Sequence, residues 1–151
     1  MSGEMRRLHG SRHCGNIRFV FITALSDEAL PKRECQCSFC LQHGCISTSD
    51  PHGRLRIAID KTDDVNRYRF GHGTADFYVC RVCGAIPVVT SKIDGALRGL
   101  VDVRMIENFA WSRTDATPHD FEGEDTAARL ARRKGYWIGA VEFDRSTSGV
   151  A

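Results

Sequence analysis

Seven cysteines are the feature that most limits what this chain of 151 residues can fold into. They are Cys14, Cys35, Cys37, Cys40, Cys45, Cys80 and Cys83. An odd number cannot all pair within one chain, and the sequence begins without the apolar core of a secretory signal. We therefore expect a cytoplasmic protein with reduced thiols. Clustered cysteines in a reducing compartment indicate metal or thiol chemistry.

Three of the cysteines, Cys35, Cys37 and Cys40, form a C-x-C-x-x-C motif. Three thiols at this spacing can wrap one ion from a single loop, and ordinary packing does not require it. Tetrahedral zinc with only three protein ligands keeps a fourth position open, as catalytic zinc does. The motif predicts a zinc site of the catalytic type.

A second set combines the C-x-x-C-G motif, which contains Cys80 and Cys83, with Cys14, which is also followed by glycine. A tight turn at glycine can bring both thiolates of the motif to one ion, although redox dithiols use the same spacing. The motif follows a predicted strand and opens no long helix, which disfavours a redox site. These three thiols can therefore meet on a second metal, for which His13 is a candidate ligand. Cys45 has no spacing partner and is expected to be a small buried residue.

The remaining sequence predicts a mostly β, single zinc-binding domain over residues 1–151. The hydrophobic fraction of 42% suits a globular chain. No apolar run approaches the roughly 18 residues that span a bilayer, and a net charge of +2 does not predict a nucleic-acid partner. Alternation of apolar and polar residues indicates five or six short strands in antiparallel sheets. The segments are NIRFVFIT, RLRIAID, the residues around Tyr68 and Phe70, DFYVC, PVVTS and LVDVRMI.

One short C-terminal helix is predicted from Thr126 to Lys134, with Asp125 as its N-cap and Gly135 as its end. Its basic residues are expected on a solvated face that complements the helix dipole, rather than in a docking patch for an anionic partner. They are Arg129, Arg132, Arg133 and Lys134.

The histidines carry little spacing information. Three lie in polar surroundings and are expected at the surface: His9, His52 and His119. His43 and His72 flank the C-x-C-x-x-C loop and a glycine turn, and either can face a substrate or solvent.

The order of the cysteine motifs resembles that of a known family. Gly10-Ser11-x-x-Cys14-Gly15 is followed by Cys35-x-Cys37-Ser38-x-Cys40, and then by FGHGTADFYVCRVCG at residues 70–84. With the segment DFEG at residues 120–123, residues 8–123 resemble the glutathione-dependent formaldehyde-activating enzyme family, which includes the centromere protein V domain. The resemblance implies a β-tent fold, in which small antiparallel sheets lean together over zinc.

The resemblance also implies two zinc sites. The C-x-C-x-x-C cysteines match the catalytic site, whereas Cys14, Cys80 and Cys83 match three of the four ligands of a structural site. Arg12 stands where the family carries the first structural cysteine, and a guanidinium cannot ligate zinc. That site would recruit His13, accept water, bind zinc more weakly or be empty.

The activity implied by the resemblance is that of a carbon–sulfur lyase, which joins formaldehyde to the thiol of glutathione or runs in reverse. The partner is then a small-molecule thiol, and an anionic one needs cations in its pocket. Candidate cations are Arg67, Arg69 and Arg81.

Two other functions compete with the lyase. One is a non-catalytic, zinc-stapled protein-interaction module, in which Cys45 or His43 closes the zinc shell. The other is a thiol redox protein that uses Cys80 and Cys83. Metal content and the state of the fourth zinc position distinguish the three. The sequence does not indicate the oligomeric state.

Overall fold

The computed structural model describes residues 3–11 and 14–144, and within these residues the chain forms eleven strands and two α-helices. The strands are β1 (Arg6–Ser11), β2 (Ile17–Thr23), β3 (Arg33–Cys35), β4 (Ser47–Thr48), β5 (Arg54–Ile59), β6 (Val65–Tyr68), β7 (Asp76–Cys80), β8 (Val88–Ile93), β9 (Ala96–Asp102), β10 (Thr117–His119) and β11 (Ala140–Phe143). The helices are α1 (Ser38–His43) and α2 (Thr126–Tyr136). Short 3-10 turns cover Thr62–Asp64, Val103–Met105 and Arg113–Asp115.

The strands of the described chain form two sheets. One has the order β1-β2-β5-β11, and the other has the order β10-β3-β4-β9-β8-β7-β6. Neighbouring strands are antiparallel except for two parallel pairs, β10 with β3 and β11 with β5. The prediction of a mostly β fold of antiparallel sheets with a short C-terminal helix is confirmed.

The main core is formed by residues from both sheets, and strand alternation places them there. Ile17, Phe19 and Phe21 of β2 are at most 2% exposed, while the residues between them point outward. They share one apolar cluster with Tyr78 of β7 and Val101 of β9. Burial of each large side chain contributes roughly 1.5–3 kcal/mol. This core fixes the sheets whose strands carry Cys35 and Cys80, one cysteine of each cluster.

Helix α2 begins as predicted but ends later. The Asp125 side chain accepts a hydrogen bond from the Ala128 N–H at 2.7 Å, which is the expected N-cap. Gly135 does not end the helix, which continues to Tyr136. The N–H of Trp137 then bonds the Arg133 carbonyl at 2.8 Å, and the buried Trp137 side chain anchors the end. Tertiary packing therefore overrides the glycine signal.

Two predicted strands end earlier than the alternation indicated. The strand expected over residues 100–106 stops at Asp102, because its side chain accepts the Arg104 N–H and begins a 3-10 turn. The strand expected to contain both Tyr68 and Phe70 ends at Tyr68. No helix in residues 3–11 and 14–144 is long and apolar enough to cross a bilayer.

Candidate metal centre and the adjoining cavity

The C-x-C-x-x-C cysteines are brought together where β3 meets α1. Cys35 ends β3, Cys37 caps α1 and Cys40 lies within it. The Cys37 sulfur accepts the Cys40 N–H at 3.4 Å, and Gly44 ends the helix with a φ of 65°. This one-and-a-half-turn helix was not predicted. It converts the sequence spacing into a cluster whose three sulfurs lie within 4.8 Å of one another.

The thiols of this cluster already interact. A hydrogen bond between the thiols of Cys35 and Cys40 lowers the pKa of Cys35 to about 6. Hydrogen bonds with Cys35 and Cys45 raise the pKa of Cys40, and burial raises that of Cys37. The sulfurs therefore face one another closely enough to share protons. A soft, tetrahedral ion such as zinc suits this donor set, because thiolates are its preferred ligands.

The cluster offers three ligands and not four. Among the described residues, no other histidine, cysteine or carboxylate has a ligand atom within 4.8 Å of all three sulfurs. Cys45, expected to be a small buried residue, is half-buried and packs against an apolar cluster, and its thiol raises the pKa of Cys40. The Nδ1 atom of His43 lies 2.8 Å from the Phe39 carbonyl oxygen, so this nitrogen is engaged in a hydrogen bond within α1. An ion held by the three sulfurs would keep a position for a further ligand.

The second set of cysteines also converges. The Cys14 sulfur lies 3.4 Å from that of Cys80 and 3.5 Å from that of Cys83. Gly84, with a φ of 76°, donates its N–H to the Cys80 carbonyl at 2.8 Å and closes the turn that contains both ligands of the motif. These three thiols can hold a second ion. The candidate ligand His13, like Arg12, lies outside the described residues.

A cavity of about 750 Å³ adjoins the first cluster. Its wall includes Cys35, Cys37 and Cys40, so an ion held there would face the space. This volume lies within the usual range for small-molecule sites, roughly 300–1,000 Å³. The wall is partly apolar, formed by Ala75, Phe77, Ile86, Val89, Leu100 and Trp137.

Four arginines also line this cavity, and sequence analysis did not assign them to a site. They are Arg33 of β3 and Arg129, Arg132 and Arg133 of α2. The helix cations were expected on a solvated face, but Arg133 is only 6% exposed. The three-to-four-residue spacing of Arg129 to Arg132 and Arg133 was the available signal, since it puts them on one side of a helix.

The cations first expected in a substrate pocket lie elsewhere. Arg67, Arg69 and Arg81 do not line the cavity. Arg69 instead pairs with Asp76, and Arg81 donates to the Asp63 carbonyl at 3.1 Å.

The histidines are divided between the surface and the cavity, and one of them is not where the sequence predicted it. His9 and His52 are exposed as expected. His119, also expected at the surface, pairs in register with Cys35 across β10 and β3 and lines the cavity. His72 lines it as well, and its Nδ1 atom lies 2.6 Å from the Thr126 hydroxyl.

The fold occurs in a solved protein. A crystal structure of a Rhodobacter sphaeroides protein, a structural genomics target, matches with a TM-score of 0.53 and 24% sequence identity. The match covers 73% of this chain and 97% of that one, and at this identity it shows the fold alone. The chain matches no family model, and no curated protein is similar to it.

Proposed function

We propose that this protein is a zinc-dependent carbon–sulfur lyase that joins a small-molecule thiol such as glutathione to formaldehyde, or catalyses the reverse reaction. The observation that carries the proposal is the three-sulfur cluster, which lacks a fourth protein ligand within the described chain and faces a cavity. The resemblance in motif order supports the same activity. The second cluster would hold a structural zinc, and the reduced thiols suit the cytoplasm.

The chain's own residues would prepare the site for this reaction. Cys35, Cys37 and Cys40 would bind zinc, and zinc when bound would stabilise a substrate thiol as its nucleophilic thiolate. The apolar wall would exclude water from the forming carbon–sulfur bond. His72 and His119 border the cavity and would be the groups that accept a proton released there or donate one to the aldehyde oxygen.

The interaction module requires a closed zinc shell. Its candidate fourth ligands were Cys45 and His43, and neither belongs to the group of mutually close ligand atoms. The geometry therefore favours the enzyme over the module.

Exchange spectroscopy by NMR tests the proposal. Zinc-loaded protein should speed the interconversion of glutathione and S-hydroxymethylglutathione in the presence of formaldehyde, above the uncatalysed rate. Cys37→Ser should abolish the acceleration, whereas Lys92→Gln, an exposed change away from the cavity, should retain it. If the loaded wild-type protein gives only the uncatalysed rate, the proposed activity is wrong.

A further inference from the structure

Arg133 is a buried cation that faces the cavity without a carboxylate partner among the described residues. One terminal nitrogen donates to the hydroxyls of Thr74, at 2.7 Å, and Ser91, at 3.2 Å. The buried Nε has no hydrogen-bond partner. Taking a guanidinium out of water is costly unless an anion pairs with it, so this arrangement calls for an anionic ligand.

Two further arginines of the cavity are also without a carboxylate partner in the described chain. Arg33 donates to the Ser49 hydroxyl at 2.8 Å, and Arg129 donates to the Phe121 carbonyl at 2.9 Å while its Nε is buried and unpaired. Arg132 differs because Glu124 pairs with it at 2.9 Å. Three guanidinium groups therefore remain without an acidic partner at one cavity.

The acidic groups of the cavity do not balance these cations. Asp102 is paired with Arg104 at 2.8 Å, and Glu122, the other lining carboxylate, is exposed. A zinc ion with three thiolates carries one negative charge. The three guanidinium groups without an acidic partner carry three positive charges. The zinc–thiolate group and Glu122 together carry two negative charges, so the cavity keeps one positive charge.

We propose that Arg133, Arg33 and Arg129 form an anion-binding subsite, so that the ligand of this cavity carries an anionic oxygen group, a carboxylate or a phosphate, beside an apolar part. The apolar part would lie against Trp137 and the neighbouring aliphatic wall. Bidentate binding of such oxygens is what the guanidinium fork favours. The inference that the thiol substrate carries this anionic group rests on the proposed function. The anion subsite itself does not depend on a bound metal.

The binding test uses three probes without a thiol: 3-phenylpropionate, its neutral analogue 3-phenylpropanamide, and phenyl phosphate. Trp137 reports binding by fluorescence in a Trp111→Phe background, which removes the other indole. We expect at least one anionic probe to bind tenfold or more tightly than the amide, with affinity falling as salt increases. A tighter phenyl phosphate would assign the subsite to phosphate, and a tighter phenylpropionate would assign it to carboxylate.

Variants identify the residues responsible. Arg133→Gln should reduce the preference for the anion to threefold or less, and Lys134→Gln on the same helix, which pairs with Asp94, should leave it unchanged. Arg33→Gln and Arg129→Gln should each weaken anion binding severalfold. If Arg133→Gln does not fold, these two variants test the subsite in its place. Equal binding of anionic and neutral probes, or a preference insensitive to all three variants, would overturn the proposal.

A final comparison separates this inference from the lyase. Cys37→Ser should still bind the anionic probe, because the subsite is independent of metal. If it binds while the zinc-loaded wild type shows no lyase activity, only the proposed function fails. If the wild type turns over 2-mercaptoethanol and 3-mercaptopropionate equally well and the probes show no preference, only the anion subsite fails.

Discussion

The guanidinium carbon of Arg133 lies 4.9 Å from the centroid of the Trp137 ring, so this buried cation meets an indole face rather than a carboxylate. A cation–π contact contributes about 0.5–2 kcal/mol, which is less than the several kcal/mol that desolvating the ion costs. Both side chains line the cavity. The position is therefore better suited to binding than to stability.

Arg133→Met tests this imbalance. Methionine keeps an unbranched apolar stem and removes the charged guanidinium, so we expect the free energy of unfolding to change by less than about 1 kcal/mol or to rise. Ile138→Ala, at a fully buried neighbour, should instead lower it by about 2–5 kcal/mol. Urea unfolding followed by circular dichroism measures both. A loss above about 3 kcal/mol for Arg133→Met would mean that the cation is mainly structural.

Cys37→Ser tests the first metal site without disturbing helix α1. Cys37 caps α1 through its sulfur, and serine supplies an equivalent cap acceptor while removing the thiolate. We expect bound zinc to fall from two ions per chain to one, with the same loss in Cys83→Ser at the second site. Plasma mass spectrometry on freshly purified protein gives the count.

Cys45→Ser is the matched control for the metal count. Its thiol raises the pKa of Cys40 but does not belong to the group of three sulfurs. It should keep both ions. Loss of one ion in Cys45→Ser would show that this residue closes the shell, and the interaction module would then replace the enzyme.

Gly10 is required by the ring of Phe19. A Cβ atom at residue 10 would lie 2.1–2.6 Å from three atoms of that ring, and Phe19 is only 2% exposed. We expect Gly10→Ala to destabilise the protein by about 1–3 kcal/mol through overpacking. Gly123→Ala, where a Cβ meets nothing within 4 Å, is the control and should change stability by less than about 0.5 kcal/mol. Chemical unfolding compares them, and equal stabilities would contradict the overpacking.

The strand pattern and the cysteine groups could be predicted because each depends on local spacing. Ile17, Phe19 and Phe21 alternate with outward-facing residues, so one face of β2 had to be buried. The two cysteine groups follow from motif spacing and from the shared Cys-Gly ending. Helix α1 was missed because its six residues carry no apolar periodicity, and its start is fixed by a cysteine cap.

The cationic side of the cavity could not be predicted, because tertiary packing creates it. Considered alone, α2 is a short helix with basic residues near its end, and solvent is their usual environment. Residues distant in sequence change this environment. Thr74 and Ser91 accept hydrogen bonds from Arg133, and Arg33 of β3 lines the same cavity. No local pattern brings Arg33 of β3 to the same cavity as the arginines of α2, so neither the cavity nor its charge is visible in the sequence.

Asp27 links the N-terminal strand to a distant loop and gives a pH-dependent prediction. It pairs with Arg6 at 2.9 Å and accepts the Ala110 N–H at 3.0 Å. Burial raises the pKa of Asp27, but the Ala110 N–H and the Arg6 charge outweigh burial and bring this pKa below the ordinary value of an aspartate. A carboxyl whose pKa is lower in the folded state stabilises the fold above its unfolded pKa, about 3.9. That stabilisation is lost as pH falls through the folded pKa.

Asp27→Asn should therefore lower the free energy of unfolding by more at pH 7 than at pH 2.5. Because the Asp27 and Arg6 side chains are 20% and 37% exposed, solvent screening limits the expected loss to about 0.5–1 kcal/mol. Asp60→Asn, in the exposed pair with Arg18, is the control and should change little at either pH. Urea unfolding at the two pH values measures the difference. An equal loss for Asp27→Asn at both would mean that the Asp27 charge contributes nothing.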